Sequence, residues 1–203
     1  VDLIFNNLCN MKCRTCGPDL SSQHAKEHKD MYGEEELIKF LKNDGKIVVN
    51  VAHENNFWED FQKYLPGVEE VYFAGGEALI TEEHYKILDR FIELGKTDVR
   101  LRYTTNFSNF KYKKNSVVEY WKQFPDIQIS ASLDCNGSRA EYSRHGTEWN
   151  VIESNRQELL EKLPNVYFEL TPTISLYNVW NWPDFHMDWV EKGYVDIENC
   201  RLN

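Results

Sequence analysis

Three of the five cysteines, Cys9, Cys13 and Cys16, fall within eight residues, in the run Asn7-Leu8-Cys9-Asn10-Met11-Lys12-Cys13-Arg14-Thr15-Cys16-Gly17-Pro18. Thiolates are strong metal ligands. Gaps of three and then two residues let a short loop wrap three of them around one face of an iron–sulfur cubane. Three ligands for four irons leave one iron open to a substrate or cofactor, whereas a cluster that only transfers electrons normally has four cysteines. Two other readings stand beside this one: a zinc knuckle completed by His24 or His28, and three ordinary thiols. Cys135 and Cys200 stand alone and read as small buried thiols. A disulfide framework needs paired cysteines in a small secreted chain, and neither condition is met. A second group with chemical potential is Gly75-Gly76-Glu77, after the strand-like run Val71–Ala74. It sets a carboxylate where a strand ends and two glycines permit close backbone approach; its plainer reading is a turn.

These residues need a scaffold, and the sequence describes one. Strand candidates are Val1–Phe5, Val68–Ala74, Asp98–Asn106, Ile127–Asp134, Val166–Ser175 and Tyr194–Ile197. Amphipathic helical patterns lie between most of them. After Thr81 as N-cap, Tyr85, Leu88, Phe91 and Ile92 share one face, ending at Gly95; after Thr147, Trp149, Ile152, Leu159, Leu160 and Leu163 do the same. Strands alternating with helices imply parallel βαβ units, and six of them give an α/β fold: a partial (β/α)6 TIM-like barrel with parallel strands and outer helices. Ser21–Leu65 breaks the rhythm as a long excursion with helical and strand-like pieces.

Alternation within the strands gives orientation. Ile127, Ile129, Ala131 and Leu133 oppose Gln128, Ser130, Ser132 and Asp134. Val99, Leu101 and Tyr103 oppose Arg100, Arg102, Thr104 and Asn106. Phe168, Leu170 and Ile174 oppose Glu169, Thr171 and Thr173. With helices outside, the apolar faces point outward and the polar faces line a lumen wide enough for a charged ligand. The alternative is a sheet with one solvated face. Tryptophans such as Trp149 and Trp189 read as core.

Composition narrows the function. Of 203 residues, 41% are hydrophobic and 14% aromatic, enough for a core. The net charge of −10 works against phosphate, so a nucleic-acid partner is disfavoured. The one basic run, Lys111-Tyr112-Lys113-Lys114, reads as a solvated loop. No apolar run reaches membrane-spanning length and no signal segment opens the chain, so a soluble cytoplasmic protein with no membrane partner is expected.

A first strand running into C-x3-C-x2-C, followed by a strand ending Phe73-Ala74-Gly75-Gly76-Glu77-Ala78-Leu79, resembles the radical S-adenosylmethionine (AdoMet) superfamily. The resemblance runs the length of the chain. Thr104-Thr105-Asn106 and Ser132-Leu133-Asp134 are similar to segments ending the third and fourth strands, and Arg144-His145-Gly146 to the Arg-Gly of peptide-modifying members. Pro172–Ile174 falls in the strand that flanks adenine. Cys16-Gly17-Pro18 followed by Ser21-Ser22 looks most like the twitch/SPASM-type subgroup. Two positions depart from the pattern: Thr15 stands where an aromatic residue is common, and Cys135 where glycine follows Ser-Leu-Asp.

The resemblance implies a [4Fe-4S] cluster on Cys9, Cys13 and Cys16 whose open iron chelates AdoMet. Reductive cleavage then gives a 5′-deoxyadenosyl radical that abstracts hydrogen from the substrate. It implies that Glu77 meets the methionine ammonium beside Gly75 and Gly76, that Asn106 and Asp134 meet the ribose, that Ser132 meets the methionine end, that Arg144 meets the carboxylate, and that Ile174 packs on adenine. A one-electron donor such as flavodoxin or ferredoxin is expected. Residues 1–203 read as the core domain of a longer protein, with a twitch/SPASM-like C-terminal extension outside it. The expected substrate is a peptide or protein side chain. The alternatives are a small metabolite or a non-catalytic Fe–S or zinc module. Asn106 and Asp134 also read as caps or turn formers, and Arg144 as a surface charge.

Overall fold

The structure is a computed structural model describing residues 1–42, 44, 46–48 and 57–202. In chain order the elements are β1 (Asp2–Ile4), β2 (Lys12–Cys13), α1 (Ser22–Tyr32), α2 (Glu34–Leu41), α3 (Phe57–Tyr64), β3 (Glu70–Ala74), α4 (Glu82–Glu93), β4 (Arg100–Thr105), β5 (Lys111–Tyr112), β6 (Asn115–Ser116), α5 (Val117–Trp121), β7 (Ile127–Ala131), α6 (Gly137–Ser143), β8 (Arg144–His145), α7 (Trp149–Lys162), β9 (Tyr167–Leu170) and α8 (Trp182–Glu191). Five strands form one parallel sheet in the order β1-β3-β4-β7-β9, so sheet order follows chain order. That progression, with helices in the connections, is the winding of a barrel left open between β1 and β9, and the fold is the α/β partial barrel that the sequence implies.

The two faces of the sheet divide as the alternation requires. Val71, Phe73, Leu101, Tyr103, Ile129, Ala131, Phe168 and Leu170 are buried in one core. Tyr85, Leu88 and Phe91 of α4, Trp121 of α5, Ile152 and Leu159 of α7, and Phe185 and Trp189 of α8 share that core. Burying each large apolar side chain stabilises by about 1.5–3 kcal/mol. Trp149 stacks obliquely on Trp189, with ring centroids 5.7 Å apart. On the other face polar groups pair across strands. Tyr72 bonds Thr104 at 2.7 Å, Arg102 bonds Glu70 at 3.1 Å, and Ser130 donates to Glu169.

Three sequence expectations shift. Tyr194–Ile197 is a turn rather than a strand, because its backbone groups go elsewhere. The Tyr194 amide donates to Trp189 O at 2.8 Å, closing the end of α8, and its carbonyl accepts from Arg156 Nε at 2.6 Å. The chain meets the β9 edge slightly later, where Cys200 bridges Leu170 in parallel. Within the Ser21–Leu65 excursion, the described residues form α1, α2 and α3 with turns and bends and no strand, and residues 43, 45 and 49–56 lie outside the described residues. The strand expected over Val166–Ser175 is β9, Tyr167–Leu170, so Pro172–Ile174 lies beyond its end. Lys111–Lys114 lies in the β5–β6 hairpin, where Lys113 pairs with Glu82 at 2.9 Å on the surface. No helix among the described residues is long and apolar enough to cross a membrane.

Candidate functional site

The cysteine loop leaves the C-terminal end of β1 and is gripped from three sides. Beside it, β3 ends at Gly75-Gly76, and the amides of Gly76 and Glu77 donate to Asn6 O at 3.2 Å and Leu8 O at 2.7 Å. A Cβ on Gly76 would lie 2.2 Å from Leu8 O; Gly75 has φ +116°, and a Cβ there would lie 2.9 Å from Asn6 O. The close approach these glycines permit is therefore to the chain's own backbone. On the second side, Ser21 Oγ donates to Met11 O at 2.8 Å and Ser22 N to Asn7 O at 2.7 Å, so the start of α1 is spent on the loop. On the third, β2 pairs antiparallel with β8, with Cys13 opposite Arg144. Gly146, at φ +105°, lets the end of β8 lie close against the loop, where a Cβ would stand 2.9 Å from Asn10 O.

Cys9 and Cys13 are buried and Cys16 is half-buried, gathered around Met11 in a small cluster apart from the main core. Burial pushes all three thiols up, Cys9 to about 11; Glu77 and the neighbouring thiols add to the rise at Cys9, while Arg144 opposes it at Cys13. Such thiols are poor free nucleophiles, but a coordinating cation reverses the preference and deprotonates them. Among the described residues, no three His, Cys, Asp or Glu side chains converge to hold a single metal ion. Neither histidine completes a zinc set. His24 Nε2 lies 2.8 Å from Cys13 O, and His28 packs against Tyr32 and Phe40. Three gathered thiols are the donor set that a cluster held by three cysteines would use. Cys135 is buried against Ser143 Oγ at 3.4 Å, and Cys200 packs on the main core.

Glu77 is 1% exposed and binds the loop's neighbours together. Its Oε1 accepts from Leu79 N at 3.2 Å and Thr105 Oγ1 at 2.8 Å, and its Oε2 from Asn106 N at 2.7 Å. Burial pushes this carboxyl up, against those three bonds, which favour the anion. A carboxylate offers roughly four acceptor directions, so one remains on Oε2. Asn106 carries the network to the cysteine loop: its Nδ2 donates to Asn10 Oδ1 at 2.9 Å, and its Oδ1 accepts from Ser108.

Asp134 and Arg144 form a buried two-pronged pair, Nε to Oδ2 at 2.7 Å and Nη2 to Oδ1 at 2.8 Å. Arg144 is thus no surface charge. Its third nitrogen, Nη1, reaches Cys13 Sγ at 3.7 Å. Asp134 Oδ1 also accepts from Thr173 N at 2.9 Å. Ser132 is half-buried, its amide donating to Thr105 O at 2.8 Å. Ile174 is half-buried against the main core. The structure thus links the cysteine loop, Gly76, Glu77, Asn106, Asp134 and Arg144 through hydrogen bonds, with Gly75 in close backbone approach; Ser132 follows the end of β7, and Ile174 lies beyond the end of β9 against the main core.

Sequence reasoning gave no role to Asn10, Ser21 and Ser22, which hold the loop, to Thr105, which donates to Glu77, or to Asn178. Asn178 is 1% exposed and ties the segment after β9 to Asp134 O and Thr173 O. Asn10 sits inside the cysteine motif, and Thr105 beside Asn106; adjacency was the available signal for both. Asn178 had none.

No family model matches the sequence, and no curated protein matches it. Solved structures do. Native anSMEcpe with bound AdoMet superposes with a TM-score of 0.60 at 14% identity, over 99% of this chain and 50% of that one. Native anSMEcpe with bound AdoMet and Kp18Cys peptide gives 0.61 at 14%, over 99% and 49%. The chain therefore spans about half the length of the structures it matches. At this identity the likeness establishes the fold: an α/β partial barrel shared over nearly the whole chain with an AdoMet-bound protein.

Proposed function

We propose that this chain is the cofactor-binding barrel of a radical AdoMet enzyme acting on a peptide or protein side chain. The observation that carries the reading is the joining of the three-cysteine loop, the Gly-Gly-Glu turn and the Asn106 strand end into one hydrogen-bonded assembly at the C-terminal end of the sheet. Ligands gather at that end of parallel α/β sheets. When bound, the cluster supplies a low-potential electron for cleavage of AdoMet, whose adenosyl fragment takes a hydrogen atom from the substrate.

In this reading Cys9, Cys13 and Cys16 hold the cluster, and the spare direction on Glu77 Oε2 meets the methionine ammonium as a charge-assisted bond. The Arg144 N–H groups left over from Asp134 and Cys13 face the methionine carboxylate, and Ser132 the methionine end. Asn106 and Asp134 border the ribose and Ile174 the adenine. The peptide substrate is supported by the peptide-bound neighbour structure and by the Arg144-His145-Gly146 segment. Anaerobically reconstituted protein given AdoMet and a strong one-electron reductant should release 5′-deoxyadenosine. A cluster-loaded protein that releases none contradicts the reading. Perdeuterated peptide pools should pass deuterium into that product; transfer from a perdeuterated metabolite pool instead would contradict the peptide assignment.

A further inference from the structure

The Arg144–Asp134 pair does more than the AdoMet contact requires, and its third contact is the informative one. β2 and β8 hold Cys13 directly opposite Arg144, and Arg14 N donates to Ser143 O at 2.8 Å, so the two backbones cannot slide past each other. The guanidinium is fixed by two bonds to Asp134, and Asp134 is itself fixed by Thr173 N. What this rigid chain of contacts presents to the cysteine loop is one N–H, 3.7 Å from Cys13 Sγ. Neither Cys9 nor Cys16 has a cationic donor of this kind among the described residues: Cys9 meets Ser22 through its backbone, and Cys16 Sγ lies 3.8 Å from Gly17 O.

We infer that Arg144 is a positioning residue that tunes the reduction potential of the cluster through an N–H···S bond to Cys13, with Asp134 holding it in place. The inference rests on the cofactor reading above. Hydrogen bonds to cluster sulfurs and nearby charge set the potentials of iron–sulfur centres. On reduction one electron enters the cluster and no proton follows. The added negative charge is met by a guanidinium that stays protonated throughout. The bond is therefore stronger in the reduced state and raises the potential.

The test is a redox titration of reconstituted protein without AdoMet, using a low-potential dye as electron source and the spectrum of the reduced cluster as readout. Leaving AdoMet out separates this role from any carboxylate contact. Arg144→Met should lower the midpoint at least tenfold in the reduction equilibrium, about 59 mV for one electron. Arg144→Lys, which keeps the charge but loses the fork, should recover part of the fall. The double variant Arg144→Met/Asp134→Asn leaves no bare buried carboxylate, and it carries the comparison if the single variant assembles poorly. Its midpoint should still lie below that of the unaltered protein. An unchanged midpoint in cluster-bearing variants overturns the inference and leaves the cofactor reading intact. So does loss of the cluster from both variants with secondary structure retained, since Arg144 would then hold the cluster rather than tune it. Failure of the unaltered protein to bind any cluster overturns the cofactor reading and this inference together.

Discussion

At the residue scale, Gly76 and Glu77 show how closely the turn after β3 fits the cysteine loop and the end of β4. Replacing Gly76 by alanine puts a methyl group 2.2 Å from Leu8 O, a contact with backbone that no rotamer can relieve. The expected cost is about 3 kcal/mol or more, read as a fall in the urea midpoint; an unchanged midpoint would show that the turn can move. Glu77→Gln should act twice. The amide replaces one acceptor oxygen by a donor facing either Asn106 N or the Leu79 and Thr105 donors, which should cost about 1–3 kcal/mol in unfolding experiments. It also removes the charge facing the ammonium, so AdoMet affinity should fall roughly tenfold to a hundredfold, with the cluster retained. Affinity equal to that of the unaltered protein would show that Glu77 serves the turn alone. Candidates near in sequence were legible as groups: the cysteine run and Gly-Gly-Glu each stand out, and the structure sets them side by side. The Asp134–Arg144 pair was not. Its members stand ten positions apart with the whole of α6 between them, and nothing local tells an arginine whether it faces solvent or a buried carboxylate.

At the element scale, period-two alternation gave the strand faces correctly because each strand is buried on one side by helices and lined by polar partners on the other. The same signal failed at Tyr194–Ile197. Tyr-Val-Asp-Ile alternates as a strand does, but Gly193, at φ +67°, lets the chain fold back onto the end of α8 and use up the Tyr194 amide. Burial patterns record which side chains are apolar, not where backbone groups find partners. Asn178 is the converse case, a polar side chain serving as partner for the turn after β9: it accepts from Ser175 N at 2.7 Å and donates to Asp134 O and Thr173 O. Asn178→Ala should cost about 1–3 kcal/mol and speed hydrogen exchange at the Ser175 amide. Protection as slow as in the unaltered protein would show that the turn holds without it.

At the scale of the whole molecule, one core under the outer face of the sheet supports the open barrel. His84 reports on how dry that core is. It is fully buried, its Nε2 lies 3.0 Å from Tyr103 OH, and burial lowers its pKa to about 3. The folded protein therefore keeps His84 neutral while the unfolded chain protonates it near the ordinary value of about 6.5. The sign follows: the unfolded state binds the extra proton, so this group's contribution to stability is full above pH 6.5 and is lost progressively as pH falls toward 3. The His84 ring resonances should show no titration between pH 7 and pH 4.5 in folded protein; a midpoint near 6.5 would mean that water reaches the ring.

The central claim is that this barrel carries a cluster on Cys9, Cys13 and Cys16 and leaves one iron for AdoMet. Iron and acid-labile sulfide, measured on anaerobically reconstituted protein, test it most directly. About four of each per chain are expected, persisting in the Cys135→Ala/Cys200→Ala variant and lost when Cys9, Cys13 or Cys16 is replaced by alanine. Stoichiometric zinc without iron, or an iron content indifferent to those three substitutions, would contradict the account.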